Sequence, residues 1–229
     1  MIRSLPLGCL LVIATVSMLG PAPAGASGKL MLYVERMEPY GQDAEDFSRA
    51  AWGGGLGVVA PLPFAHELLA GVGGLEVTNF LSETVPYYDQ VTGLRVEQQT
   101  DQWYARFYLG GRFGPNKSGF LRPHFGANLA LVYYDIGTDV VVPDDTDRER
   151  EIRQHLRDRS EVAAGYDLNA GVDLNFRDKF SIELGTRFLQ SFNVPEQLGE
   201  GSVQVQPRYL QFYLGAGLSF NLLKHLPDD

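Results

Sequence analysis

The feature that most constrains this chain is a strict alternation of side-chain type in its C-terminal segment. From Tyr209 to Asn221, every second residue is apolar and the residues between them are polar, aromatic with a hydroxyl, or glycine. A period of two is the pattern of a β-strand with two different faces. The apolar face consists of Leu210, Phe212, Leu214, Ala216, Leu218 and Phe220. The segment therefore predicts a strand that places one face against apolar surroundings.

Seven further segments predict strands, which makes eight. The alternation is strong in residues 102–113, 121–134, 162–176 and 180–192. It is weaker in residues 30–37, 51–60 and 67–80, and in the last of these it does not show which face is apolar. Gly at 26 residues and aromatics at 11% suit closely packed strands better than helices. We therefore predict an all-β fold.

The connections between the predicted strands alternate in length. Short turns fall at residues 61–66, 114–119 and 177–179, and long polar loops fall at residues 38–49, 81–100, 137–160 and 193–207. Short turns on one side and long loops on the other are typical of barrels in the outer membrane. The aromatic residues of the apolar faces also fall near the two strand ends, as the girdles of such barrels do. The predicted girdles are Trp52, Trp103, Tyr133, Tyr166 and Phe192 on the loop side, and Phe113, Phe176, Phe180 and Phe220 on the turn side.

The last strand also resembles a known assembly signal. Tyr213, Gly215, Leu218 and Phe220 match the C-terminal pattern that the barrel-assembly machinery reads. With the strand pattern, this makes the chain similar to the small eight-stranded outer-membrane β-barrels, the OmpA-like and OmpX-like family. The resemblance implies an eight-stranded antiparallel up-and-down transmembrane β-barrel. It also implies that outer-membrane lipid and the assembly machinery of a Gram-negative-type bacterium are its partners.

The first 26 residues predict a cleaved secretory signal peptide. Arg3 precedes an apolar run over residues 5–19, and Ala24, Gly25 and Ala26 supply the small residues required at the cleavage site. Residues 27–229 are then a single barrel domain. Cys9 is the only cysteine, so the mature chain has no disulfide.

The polar faces of the strands carry charges that would lie inside such a barrel. An eight-stranded barrel has an interior that side chains just fill, so charges there must pair. We predict a lumen charge network of Arg106, Arg112, Arg122, Arg187, Asp167, Asp173, Glu183, Glu35 and Glu76. The alternative is a gated pore or a proton path.

Several functional classes are disfavoured. The net charge of −9 argues against nucleic-acid binding, which needs cations for the phosphates. Gly55, Gly57 and Ala60 fit the spacing of a dinucleotide fingerprint, but Pro61 and Pro63 prevent the helix that this motif requires. We predict no cofactor, no metal site and no catalytic residues.

The sequence thus predicts a non-enzymatic structural or surface-interaction protein. A surface ligand would meet the external loops at residues 81–100 and 137–160. One alternative is a lipocalin-like soluble periplasmic barrel, which would turn its apolar face inward around a small lipid. Another is a lipid-modifying outer-membrane enzyme, for which His124, Ser181, Ser191 and Glu183 are the available groups.

Overall fold

The structure is a computed structural model that describes residues 27–45, 48–62, 68–88, 95–116, 119–142, 152–176, 179–198 and 201–221. The predicted signal peptide, residues 1–26, lies outside the described residues. The elements are β1 (Ser27–Pro39), α1 (Gln42–Glu45), β2 (Ala51–Pro61), β3 (Leu69–Tyr88), β4 (Arg95–Phe113), β5 (Leu121–Val142), β6 (Ile152–Phe176), β7 (Phe180–Ser191), β8 (Val194–Leu198), β9 (Gly201–Val205) and β10 (Arg208–Asn221).

Eight of these strands close into one barrel. The order around it is β1, β10, β7, β6, β5, β4, β3, β2, and every neighbouring pair is antiparallel. The predicted eight-stranded up-and-down barrel is therefore confirmed. Strands β8 and β9 form a separate hairpin between β7 and β10, and α1 lies between β1 and β2. No helix among the described residues is long and apolar enough to cross a membrane.

The two faces of the barrel wall differ as the alternation predicts. Large apolar residues such as Leu32, Leu129 and Leu218 are exposed on the outside, whereas the charged residues of the polar faces are buried. The lipocalin-like alternative is wrong, because it needs the apolar face inside. The structure also decides the facing of β3, in which Glu76 and Thr78 point inward and Val77 is exposed.

The prediction of long loops at residues 81–100 and 137–160 is wrong for most of these residues. Strands β3 and β4 remain paired as far as Tyr88 and Arg95, and β5 and β6 as far as Val142 and Ile152. Most of residues 81–100 and 137–160 therefore form extended hairpins. The alternation fails to report these extensions because it records a strand only where one face is apolar and the other is not. β-Bulges mark the transition, between Asn79 and Leu81 in β3 and between His155 and Arg157 in β6.

The residues of both predicted girdles lie on the outer face of the wall. On the loop side, Trp103 packs against Tyr133 with ring centroids 5.5 Å apart, and Tyr166 stacks on Phe192 at 5.6 Å. Trp52 lies in the same pairing row as Trp103, through Asn79. On the turn side, Phe176 contacts Phe180 at 6.0 Å. Phe113 contacts Phe125, and Phe220 pairs with Gly28.

Glycines make room for tyrosine rings inside the barrel. A Cβ at Gly55 would lie 2.7 Å from the Tyr33 hydroxyl oxygen, and one at Gly74 would lie 2.5 Å from that of Tyr108. These glycines are therefore required by close approach of neighbouring side chains. Gly55, Gly57 and Ala60 all lie within strand β2, which extends to Pro61, and not in the strand-to-helix turn that a dinucleotide fingerprint requires.

Candidate functional site in the barrel lumen

The lumen contains all nine charged residues that the sequence predicts there, and it adds two more groups. The buried ionisable acids and bases of the described residues balance at five each, with one histidine besides. They are Glu35, Glu76, Asp167, Asp173 and Glu183, against Lys29, Arg106, Arg112, Arg122 and Arg187, with His124. Lys29 was missed because it precedes the predicted strand at residues 30–37.

Glu76 is the centre of the first group of ion pairs. It faces Arg106 directly across the β3–β4 pair, and Arg106 Nη1 donates to Glu76 Oε2 at 2.7 Å. Arg187 Nη1 donates to the other carboxylate oxygen. The Tyr33 hydroxyl donates to the same oxygen at 2.8 Å, and Gln211 Nε2 reaches Oε2 at 3.4 Å.

Arg106 connects this glutamate to a second acid. Its other terminal nitrogen, Nη2, binds Asp167 Oδ2. Asn128 and Asn169 each donate to Asp167 Oδ1 at 2.9 Å. We call Glu76, Arg106, Asp167 and Arg187 the central cluster. Its four side chains are at most 6% exposed, so its charges are neutralised by one another rather than by water.

Glu35 and the interior tyrosines surround the central cluster. The Thr78 hydroxyl donates to Glu35 Oε1 at 2.7 Å. The Arg187 guanidinium carbon lies 4.5 Å from the ring centroid of Tyr213 and 5.1 Å from those of Tyr33 and Tyr108. These are cation–π distances, which suit a guanidinium removed from water. The alternation places Tyr108 and Tyr213 on the polar face, but only the folded barrel shows that these two rings and that of Tyr33 surround one arginine.

Glu183 is the centre of a second group near the short turns. Lys29 Nζ and Arg112 Nη1 each lie 3.0 Å from Glu183 Oε2, and His124 Nε2 lies 3.2 Å from Oε1. The Tyr213 hydroxyl donates to Oε1 at 3.1 Å. Lys29 also reaches Asp173 Oδ2 at 2.9 Å. We call Lys29, Arg112, His124, Asp173 and Glu183 the turn-side cluster.

Arg122 binds the turn between β4 and β5. Its Nε donates to the Gly119 carbonyl and its Nη1 to the Asn116 carbonyl, both at 3.0 Å. Arg122 also lies opposite Asp173 in the β5–β6 register. The arginine therefore helps to close the turn end of the lumen.

The opposite mouth is closed by an aromatic cap of four residues, Phe80, Tyr104, Tyr134 and Tyr209. Phe80 lies 5.0 Å from Tyr104 and 5.2 Å from Tyr209, between ring centroids. Ala44 of α1, Val194 of β8 and Val205 of β9 belong to the same buried apolar cluster. Helix α1 and the β8–β9 hairpin therefore cover the loop-side end of the lumen.

The groups considered for an enzyme do not assemble into one site. His124 and Glu183 are in contact, but Ser191 pairs with the Tyr134 hydroxyl at 2.8 Å in the cap region. Ser181 is 1% exposed and its hydroxyl has no hydrogen-bond partner among the described residues. In the described part of the chain, no group of three or more His, Cys, Asp or Glu could hold a metal ion.

Comparison with solved structures identifies small outer-membrane barrels with this fold. Neisserial surface protein A (NspA) aligns over 86% of this chain and 99% of its own, with 12% identity and a TM-score of 0.52. A major outer membrane protein from Thermus thermophilus aligns over 84% and 99%, with 14% identity and a TM-score of 0.51. No protein-family model matches the chain, and no curated protein sequence matches it. The likeness confirms the predicted barrel architecture.

Proposed function

We propose that this chain is a non-enzymatic outer-membrane β-barrel with a closed lumen, and that it acts at the cell surface through its external hairpins. The observation that carries the proposal is the opposite polarity of the two wall faces. Leucine, valine and aromatic side chains are exposed outside, whereas ion pairs and tyrosines fill the inside. A continuous apolar outer face requires an apolar surrounding, and lipid supplies it.

The barrel wall is taller on one side than on the other. The β2–β3 pairing ends at Trp52 and Asn79, and the β6–β7 pairing ends at Gly165 and Ser191. Beyond these points, β3, β4, β5 and β6 continue as a four-stranded sheet. This sheet supplies the surface through which we expect a partner to be contacted, and the filled barrel below it acts as a rigid anchor.

Fractionation tests the membrane part of this proposal. The protein should sediment with outer membranes and should migrate faster on a gel before boiling than after it, because a closed barrel stays folded in detergent. It should also give no stepwise current in a planar lipid bilayer, because the lumen is filled. A soluble protein with no heat-dependent mobility would contradict the membrane location, and stable current steps would contradict the closed lumen.

Epitope insertion tests the orientation. An epitope placed between β5 and β6, in residues 143–151, should be labelled by antibody on intact cells. The matched control is the same epitope between β4 and β5, which should be labelled only after permeabilisation. The reverse pattern would invert the proposed orientation.

Secretion is tested separately. We propose cleavage after Ala26, which predicts that mass spectrometry of the purified protein detects Ser27 as the first residue. Retention of Met1 would contradict a cleaved signal peptide.

A further inference from the structure

A small cavity lies between the central cluster and the turn-side cluster. Its volume is about 20 Å³, and Arg112, His124, Asn128, Glu183 and Arg187 contribute polar side chains to its lining. A water molecule needs roughly 10 to 15 Å³ on this measure, so the cavity has room for a water but not for a metabolite.

Four polar atoms on the lining residues have no hydrogen-bond partner among the described residues. They are Arg112 Nε, Arg187 Nε, His124 Nδ1 and Asn128 Oδ1. Their residues are only 4% to 6% exposed, so bulk solvent does not satisfy them. Polar atoms buried to this extent are nearly always paired, with protein or with ordered water.

The four atoms match the bonding capacity of a single water. The two arginine Nε–H groups are donors and Asn128 Oδ1 is an acceptor. His124 Nε2 lies 3.2 Å from Glu183 Oε1, which favours the tautomer with the proton on Nε2 and leaves Nδ1 as an acceptor. Water can accept two hydrogen bonds and donate two.

We propose that this cavity binds a structural water, which accepts from Arg112 and Arg187 and donates to Asn128 and His124. Arg187 belongs to the central cluster, and Arg112 and His124 belong to the turn-side cluster. The water therefore joins the two clusters into one hydrogen-bonded network. This site goes beyond the proposed function, because it concerns the interior and does not depend on any external partner.

Hydrogen-bonding capacity favours water over a small anion. An anion such as chloride only accepts hydrogen bonds, so it would leave Asn128 Oδ1 and His124 Nδ1 unpaired. It would also lie beside the Glu183 carboxylate, which lines the same cavity.

NMR spectroscopy of the 15N-labelled full chain in lipid nanodiscs tests the site directly. The Nε–H resonances of Arg112 and Arg187 should show cross-peaks to a long-lived water. The absence of both cross-peaks would overturn the proposal. A shift of these resonances when chloride is replaced by sulfate would identify an anion instead and would also overturn it.

A cavity-filling variant provides the second measurement. Val59 lines the cavity and is buried, so Val59→Ile adds one carbon there without changing a polar group. Expulsion of the water should remove the cross-peaks and lower the urea midpoint by about 0.5 to 1 M, because polar atoms are left unpaired. The control, Val205→Ile near the aromatic cap, should keep the cross-peaks. Cross-peaks retained in Val59→Ile, or a raised midpoint, would overturn the proposal.

Discussion

The central cluster and the turn-side cluster both neutralise buried charge, but they differ in the charges that lie opposite one another on neighbouring strands. In the central cluster, the directly opposed residues on neighbouring strands are Glu76 and Arg106, which attract one another. In the turn-side cluster, the directly opposed residues are Asp173 and Glu183, which repel one another. Lys29 bridges these two carboxylates at 2.9 and 3.0 Å from β1, a strand that pairs with neither β6 nor β7.

This difference shows that a barrel lumen can be neutralised locally or across its interior. Like charges directly opposite on neighbouring strands are destabilising, so Asp173 and Glu183 need cations from other strands. Arg122 of β5 lies opposite Asp173, and Lys29 of β1 reaches both acids across the lumen. The central cluster has one compensated pair from its register alone. It is also more deeply enclosed, with Arg106 at 1% side-chain exposure against 10% for Lys29. The two glutamates at the centres of these clusters should therefore respond differently to the same substitution.

The largest expected effect is at these two glutamates. Glu76→Gln leaves Arg187 without its acid and should lower the free energy of unfolding by about 3 to 5 kcal/mol. Glu183→Gln should cost less, about 1 to 3 kcal/mol, because it also removes the repulsion with Asp173 and that acid still holds Lys29. Urea unfolding in detergent micelles measures both. Equal losses at the two positions would contradict the distinction between the clusters.

The next effect concerns the choice of cation. Arg106 binds Glu76 and Asp167 with two nitrogens of one planar guanidinium, a wider and more rigid bridge than the single nitrogen of a lysine provides. Arg106→Lys should therefore cost about 1.5 to 3 kcal/mol, the range for hydrogen bonds to charged groups. The reciprocal change, Lys29→Arg, should cost clearly less, since that position is the more exposed one. Urea unfolding measures both variants. A larger loss of unfolding free energy for Lys29→Arg than for Arg106→Lys would contradict this distinction between the clusters.

A smaller effect is expected at the tyrosines that donate to each glutamate. Tyr33→Phe removes a donor to Glu76 and a contact with the Tyr108 hydroxyl at 3.2 Å, so it should cost about 1.5 kcal/mol. Tyr213→Phe should cost less, because among the described residues the Tyr213 hydroxyl bonds Glu183 alone, whereas the Tyr33 hydroxyl contacts both Glu76 and Tyr108. Thermal denaturation followed by circular dichroism would rank the two variants. A larger loss for Tyr213→Phe would show that the turn-side cluster is the more strongly coupled one.

The smallest effect is expected outside the lumen and sets the baseline. Arg36 pairs with Glu38 at 2.8 Å on the outer face, where the two side chains are 36% and 42% exposed. Arg36→Gln should change stability by only about 0 to 1 kcal/mol, because Arg36 lies opposite Trp52 in the loop-side girdle, where water and headgroups solvate the partner that remains. If its loss equalled that of Glu76→Gln in the same urea series, burial would not explain the strength of the lumen pairs.

The sequence by itself determined the barrel and the direction in which its charges face. The period-two alternation places Arg106, Arg187 and Asp167 on the face opposite the leucines, and a strand has only two faces. The same argument could not orient β3, because Gly71, Gly73 and Gly74 supply no side chains to compare. The alternation also ends with the apolar band, so it predicts loops where β3, β4, β5 and β6 continue beyond that band.

Only the tertiary structure decided which charges meet. Arg187 reaches Glu76 across 111 residues of sequence, and Lys29 reaches Glu183 across 154. Barrel closure and strand register set these contacts, and the residue pattern within one strand indicates neither of them. The aromatic cap and the polar cavity likewise arise where several strands and connections converge. Alternation fixes what a residue faces, whereas the partner it finds there depends on the stagger of all eight strands.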